Sequence, residues 1–519
     1  MSAPLSIVLV GGGLCHSVAV KVIHTFLVKE HSDRVRVTLI SNWDYTYYSA
    51  MFPGVLSGQY TEDQTRIALQ PLAYSCNADF ILATVVRVDP DGQKVYLEDG
   101  REIAYDVLSI NVGSRTHGTG QVPGVTENAI LTRPMNVFLE KVIELEEACT
   151  KAAIHPKLLV IGSGVSGVEL ICSLKTRLTE KFGKEVLATL IDKRPKTVNS
   201  SASYYRKIIQ QNLERYKVKV VYNARVKSLP EKGEVELIDG RLIHGDIIIW
   251  ATGPEPQPLV TGLSLCSRGF IRVTQSLQSV DKSNIFAGGD CITMQGMPIN
   301  FPPKTGVHAV QEGPVLALNI IAYARSRLFK IPLSLMLYEP TSDVLQLVNF
   351  GDGRGLATKY TMTFSGKWPF QLKNDNDLKL MAKFAPAQVL GPSGLLKYEE
   401  TKSLPNGREL AYAAKDPKEE NEWEEFSYDT DSRDQDIEEE VRDLSPELAF
   451  DLLMESSDTM KRGSSEEYKF QSQIIKRADV DTRFRTDMIR YYKQSLEVMP
   501  TTVLEPEEEE EKAENRQET

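Results

Sequence analysis

The 519-residue sequence predicts an α/β protein: two Rossmann-like domains with β-meander insertions, then a small C-terminal α+β unit and an acidic, largely disordered tail. Three observations predict it. A strand, glycine turn, helix, strand order occurs twice; each copy is followed by a meander and one more buried strand; and the charge of the chain divides near residue 400.

In the first copy, Ser6 to Val10 is a short β-rich run leading into Gly11-Gly12-Gly13. Val18 to Val28 carries helical apolar spacing, and VRVTLI, ending at Ile40, is the next strand. The second copy starts at Leu158 with LLVIGSGVSGVEL, continues as a helix to about Thr179, and closes on VLATLID, ending at Asp192. The meanders span Ala83 to Asp99, with a hairpin turn at Asp91-Gly92, and Val218 to Asp239. Each leads into a buried strand, YDVLSINVGS or GDIIIWATGP, with the same spacing from Asp106 to Gly113 as from Asp246 to Gly253. GFIRVTQSLQS, the strand NIFAGGD and a helix around Gly306 to Ala324 then return the chain to the first domain. Strand-rich residues from Leu337 to Thr363 form the C-terminal unit. The expected division is therefore 1–150 and 261–330 for the first domain, 151–260 for the second, 331–392 for the C-terminal unit and 393–519 for the tail.

The net charge of −11 describes neither part of the chain. Residues 1–400 hold 43 Lys and Arg against 38 Asp and Glu, a net of +5, whereas residues 401–519 hold 17 against 33, a net of −16. A weakly basic core suits anionic dinucleotides without demanding a nucleic-acid partner. ELAFDLLM and RFRTDMIRYYKQSLEVM are expected as short amphipathic helices inside the tail, whose charge suits a basic protein partner and whose SSEE at Ser464 to Glu467 suits phosphorylation. Six scattered cysteines without a C-x-x-C favour neither a disulfide scaffold nor a zinc site, so no metal is expected. The strand pattern starts at about Ser6, which leaves no room for a targeting segment; cytosol is the expectation. No apolar run is long enough to span a bilayer, and peripheral membrane contact stays open.

Glycines in such turns let the backbone bend tightly and approach a pyrophosphate, while the following helix offers free N–H groups to the anion. Gly162-x-Gly164-x-x-Gly167 fits fully. Asp192, closing the next strand, is placed to accept the adenosine ribose hydroxyls of NAD; Lys193 and Arg194 after it are the alternative, suited to a 2′-phosphate, with NADH favoured. Gly11-x-Gly13 is followed by His16 in place of the third glycine, either projecting toward the ligand or satisfied structurally. The second strand ends on Ser41 instead of an acid, with Asp44 as a nearby substitute. Asp290, at the end of NIFAGGD, is expensive to bury unpaired and well placed to meet a ligand hydroxyl.

Together, the two loops, the GxGxxGxE of Gly162 to Glu169, the ATG of Ala251 to Gly253 and the GGD of Gly288 to Asp290 resemble the two-dinucleotide-binding-domain flavoproteins, the FAD-dependent pyridine nucleotide oxidoreductases. More narrowly, Tyr47 to Ala73 and KTGVHAVQEGPVLALN are similar to type II NADH dehydrogenases, and closest to the flavoprotein domain fused to selenide, water dikinase. The match covers Ser6 to Phe384; the tail is too short for a comparable kinase segment, and none is expected. The resemblance implies an FAD site at Gly11, Gly12, Gly13, His16, Ser41, Gly113, Gly289 and Asp290, with Val85 touching adenine through its backbone and Lys304, Thr305 and Gly306 beside the isoalloxazine. It implies an NAD(P)H site at Gly162, Gly164, Gly167, Glu169, Asp192 and Gly253. His16 and Ser41 depart from the general FAD fingerprint.

The implied reaction passes hydride from NAD(P)H to flavin and then electrons to a second acceptor, so positioning and shielding are the protein's task. No catalytic side chain is obligatory, and Glu169 and Lys304 are the groups expected nearest the nicotinamide and the isoalloxazine. A quinone is the acceptor the resemblance favours. A soluble acceptor is the alternative, because FQLKNDNDLKLMAKF is weakly amphipathic and the acidic tail is repelled by anionic lipid. A flavin-binding redox sensor acting through its tail is a third reading. Cys15 and Cys291 are expected as buried, inert thiols in preference to a redox pair.

Overall fold

Runs of Val, Ile and Leu form the strands of two parallel sheets, and their burial on both faces explains why the apolar residues are continuous instead of alternating. In the computed structural model, residues 3–198, 203–259, 261–298, 301–340, 345–359 and 362–384 are described; the tail, its two expected helices and its SSEE lie outside them. The first copy supplies β1 (Leu5–Val10), α1 (Leu14–Ile23), β2 (Val35–Ser41), β3 (Asp79–Leu82) and β4 (Val107–Ile110). Next come β5 (Ile130–Leu131) and α2 (Met135–Lys151). The second copy supplies β6 (Leu158–Ile161), α3 (Val165–Phe182), β7 (Ala188–Ile191), β8 (Val218–Val221) and β9 (Ile247–Trp250). The chain returns through β10 (Ile285–Ala287) and α4 (Gly306–Phe329).

The two sheets have the same wiring. The first runs β10-β4-β1-β2-β3 and the second β5-β9-β6-β7-β8, with every pairing parallel. Strand order therefore reverses beside β1 in one and beside β6 in the other, and each glycine loop leaves the C-terminal end of that strand, where open α/β sheets bind ligands. The meanders are Val85–Asp89, Lys94–Leu97 and Glu102–Ala104 in the first copy, and Val226–Ser228, Glu234–Leu237 and Leu242–His244 in the second. Both copies then send a short strand toward the other. Ser114–Thr116, directly after Gly113, pairs antiparallel with Pro254–Pro256, directly after Gly253.

Helix α1 starts at Leu14, nearer its loop than the apolar spacing predicts, because the glycine turn itself begins the helix. It packs closely on α4: a Cβ at Gly313 would lie 2.6 Å from Val18 Cβ, so only glycine permits this approach. Helix α4 runs past the predicted end at Ala324 and stops on Lys330, whose φ of +62° is left-handed. The C-terminal unit is an antiparallel sheet of β11 (Gln346–Asn349), β12 (Gly355–Lys359) and β13 (Met362–Gly366) with α5 (Lys367–Ala382) against it. Helix α5 is no surface-lying amphipath: it buries Trp368, Leu372 and Met381, together with a Lys373–Asp377 ion pair of 2.5 Å.

Candidate active site

One cleft of about 2230 Å³ runs between the two glycine loops and on to the C-terminal unit. All the expected site residues line it except His16. Gly11 has φ +96°, and a Cβ there would sit 2.3 Å from the Asn111 carbonyl oxygen; a Cβ at Gly13 would sit 2.3 Å from Asn111 Oδ1. At Gly12 it would meet Leu69 Cδ1 at 2.2 Å. Asn111 secures this loop: its Nδ2 donates to the Gly288 carbonyl at 2.7 Å, and its Oδ1 accepts from the His16 N–H at 3.3 Å.

His16 lies behind the loop, fully buried. Its Nδ1 is 2.7 Å from the Gly11 carbonyl and its Nε2 is 2.8 Å from Ser109 Oγ. Burial pushes its pKa down to about 4 against the opposing pull of the Gly11 carbonyl, so the ring is neutral at pH 7. In the second copy the equivalent position is Gly167, where a Cβ would lie 1.9 Å from the Gly162 carbonyl oxygen. One loop closes by contact, the other by hydrogen bonding.

Ser41 Oγ accepts from the Trp43 N–H at 3.2 Å, and Val85 opens the first meander on the cleft wall. Asp290 accepts from Ser114 Oγ at 2.9 Å and pairs with Arg133 at 3.1 Å, so its carboxylate is held at the cleft by two other segments. Gly289, at φ +74°, donates its N–H to Glu312, whose pKa burial raises to about 7 despite this bond and nearby Lys304. Lys304 donates to the Ile292 carbonyl and stands 5.1 Å from the Phe270 ring centre; burial lowers its pKa, and Asp290 and Glu312 oppose the shift. Thr305 caps α4 with its hydroxyl, which accepts from the His308 N–H at 3.5 Å, and Gly306 begins the helix at the cleft.

On the other side, Gly162 has φ +109° with a would-be Cβ 2.3 Å from the Ala251 carbonyl oxygen, and Gly253 has φ +98°. Glu169 accepts the Asn349 N–H at 2.8 Å, which ties α3 to the C-terminal unit. Burial raises the Glu169 pKa to about 7, with Lys373 pulling it back. Asp192 accepts from Ser163 N–H at 2.6 Å, Ser163 Oγ at 2.7 Å, Arg194 N–H at 2.7 Å, Arg194 Nε at 3.0 Å and a terminal Arg194 nitrogen at 2.9 Å. Burial opposes its ionisation, but these bonds prevail and hold its pKa down at about 2.

The six cysteines are free thiols, and none lines the cleft. Cys291 is buried, its thiol pushed up to about 12 by desolvation, and Cys15 is buried and raised as well. Sequence reasoning missed Asn111, Arg133 and the Lys373–Asp377 pair, all of which line the cleft. Only Asn111 had a local signal, two residues before Gly113 at a strand end.

The residues fit two dinucleotides. Each loop presents backbone where a side chain would clash, at the start of a helix, and carboxylates stand at the ends of neighbouring strands. The model of the family described as pyridine nucleotide-disulphide oxidoreductase matches residues 5–313. Ferroptosis suppressor protein 1 of Taeniopygia guttata is 27% identical over 53% of this chain and 70% of its own length. Demethylphylloquinone reductase NdbB of Synechocystis is 29% identical over 52% of this chain and 66% of its own. Among solved structures, NDH2 of Plasmodium falciparum in complex with NADH superposes with a TM-score of 0.59 at 14% identity, covering 74% of this chain and 99% of that one. Sulfide:quinone oxidoreductase of Aquifex aeolicus gives 0.58 at 20% identity, covering 73% and 91%. The solved structures speak for the fold. These likenesses support the broad resemblance; they do not reach the narrower one, to the domain fused to selenide, water dikinase. No helix among the described residues is long and apolar enough to cross a membrane.

Proposed function

Because the chain belongs to the pyridine nucleotide-disulphide oxidoreductase family and is an FAD-dependent NAD(P)H oxidoreductase, we propose that its second substrate is a quinone. The observation that carries this reading is that no cysteine lines the cleft among the described residues, which favours a direct route from the flavin to the acceptor over one through a cysteine pair. The cleft also continues past both loops to Leu345, Leu347, Asn376 and Asp377, giving a second reactant a mixed apolar and polar wall. A relative that reduces a quinone by name, demethylphylloquinone reductase NdbB, supports the same choice.

In this reading Gly11, Gly12 and Gly13 hold the FAD pyrophosphate, with Ser41 and Val85 along the adenosine and Gly113, Gly289 and Asp290 along the ribityl side. His16 supports the loop from behind. Bound FAD supplies the two-electron chemistry. Lys304 brings a cation to the isoalloxazine end, and Thr305 and Gly306 bring the positive end of α4, which together favour negative charge developing there. Gly162, Gly164, Gly167 and Gly253 seat NAD(P)H, and Glu169 holds a proton beside the nicotinamide side near neutral pH. No acid or base is needed for hydride transfer itself; these residues orient the pair and exclude water.

The test is steady-state turnover of the purified flavin-loaded protein with NADH or NADPH and a water-soluble quinone. Quinone-dependent oxidation is expected. Turnover with a disulfide, a protein or an inorganic acceptor but none of several quinones would sink the proposal.

A further inference from the structure

We propose that the second nucleotide site is built for a 2′-phosphate, so that NADPH is the preferred donor, with Arg194, Lys193 and Arg225 reading that phosphate. The inference rests on the NAD(P)H reading of this loop and reverses the preference the sequence implied. An acid at the end of β7 ordinarily accepts the ribose hydroxyls of NADH. Here that acid is already engaged. An ionised carboxylate offers about four lone-pair sites, and Asp192 takes five donors from Ser163 and Arg194. Its side chain is 4% exposed, so a ribose hydroxyl has to displace one of them to bind.

The same bonds prepare a site for an anion. Asp192 fixes the Arg194 guanidinium through Nε and one terminal nitrogen, leaving the other terminal nitrogen on a side chain that is 34% exposed and lines the cleft. Arg225 is brought beside it by the backbone, since the Asn223 N–H donates to the Arg194 carbonyl at 3.1 Å and the Ala224 N–H to the Asp192 carbonyl at 2.9 Å. Lys193 and Arg225 are exposed and line the same cleft. With Asp192 neutralised by Arg194, this flank keeps two uncompensated cations for a group carrying about −1.5 to −2 charges at pH 7. A planar guanidinium held in place is the side chain best matched to phosphate oxygens.

Direct binding of NADP+ and NAD+ to the full-length flavin-loaded protein, measured by calorimetry so that no turnover intervenes, tests this. NADP+ should bind at least about tenfold tighter at low ionic strength, with an advantage that shrinks as salt rises. Arg194→Ala should weaken NADP+ about tenfold or more and tighten NAD+, because it also frees Asp192 to accept hydroxyls. Retention of the flavin spectrum reports that the variant is folded. Arg225→Ala, at an exposed position, should weaken NADP+ alone and keeps the proposal testable should Arg194→Ala lose its flavin. Tighter binding of NAD+ by the unaltered protein, or equal weakening of both nucleotides in the variants, overturns the proposal. Binding of neither nucleotide overturns it together with the reading on which it rests.

Discussion

A single Cβ separates the two loops. At Gly167 it would lie 1.9 Å from a backbone oxygen that has no freedom to retreat, so Gly167→Ala must open the turn between β6 and α3. The expected cost is about 1–3 kcal/mol of stability, read as a lower thermal midpoint, with a larger loss in nucleotide affinity. His16 occupies the matching place and carries a different liability. Its folded pKa of about 4 lies below the ordinary value of 6.5. The contribution is present above pH 6.5 and is lost as pH falls toward 4, because the unfolded chain takes up the proton first. Between pH 7 and pH 5 the protein should lose about 2 kcal/mol that His16→Gln does not lose, measurable as the difference in urea midpoints. Glu169 and Glu312 act in the opposite direction: raised to about 7, their contribution is present below pH 4.5 and fades as pH rises through 7.

Among the elements, the repeated strand, turn and helix order was plain in the sequence because glycine turns and apolar periods are local signals. Helix α2 carries such a signal too, with Phe138, Leu139, Val142 and Cys149 on its buried face, but it lies between the two copies, outside the repeated order. Its anchoring was not legible. Glu146, whose side chain is fully buried, accepts two bonds from Arg177 at 2.5 and 3.0 Å and pairs with Lys181 at 3.0 Å, thirty or more positions away. Glu146→Ala should leave two partly buried cations without a counterion and cost about 2–4 kcal/mol; the double variant with Arg177→Leu should recover part of it in a thermal melt. Pro254-Glu255-Pro256 hid for a further reason. Two prolines argue against a strand, and they are tolerated because, among the described residues, the ribbon has two strands and asks for no ladder on its outer edges. Asn111 and Arg133 belong to the site only through chain segments distant in sequence, which no spacing rule reaches.

Over the whole molecule, the sign of the charge changes near residue 400. Every residue assigned to the two nucleotides precedes residue 307, so a chain ending at residue 392 should keep its flavin absorbance and oxidise NAD(P)H within about twofold of full length, or ~0.4 kcal/mol in activation free energy. A tenfold fall in a folded, flavin-loaded truncation would give the tail a part in turnover. The ribbon between the two copies bears on the nucleotides themselves. Its strands are rooted at Gly113, beside the proposed FAD site, and Gly253, beside the proposed NAD(P)H site, and Glu255 at its centre holds Arg115 at 2.6 Å and the Gly118 N–H at 3.1 Å. Neither root can shift without loading the other. Whatever factor the nicotinamide nucleotide adds to the affinity for FAD, FAD must return to it in full. If that factor exceeds one, a protein without one nucleotide holds the other less tightly.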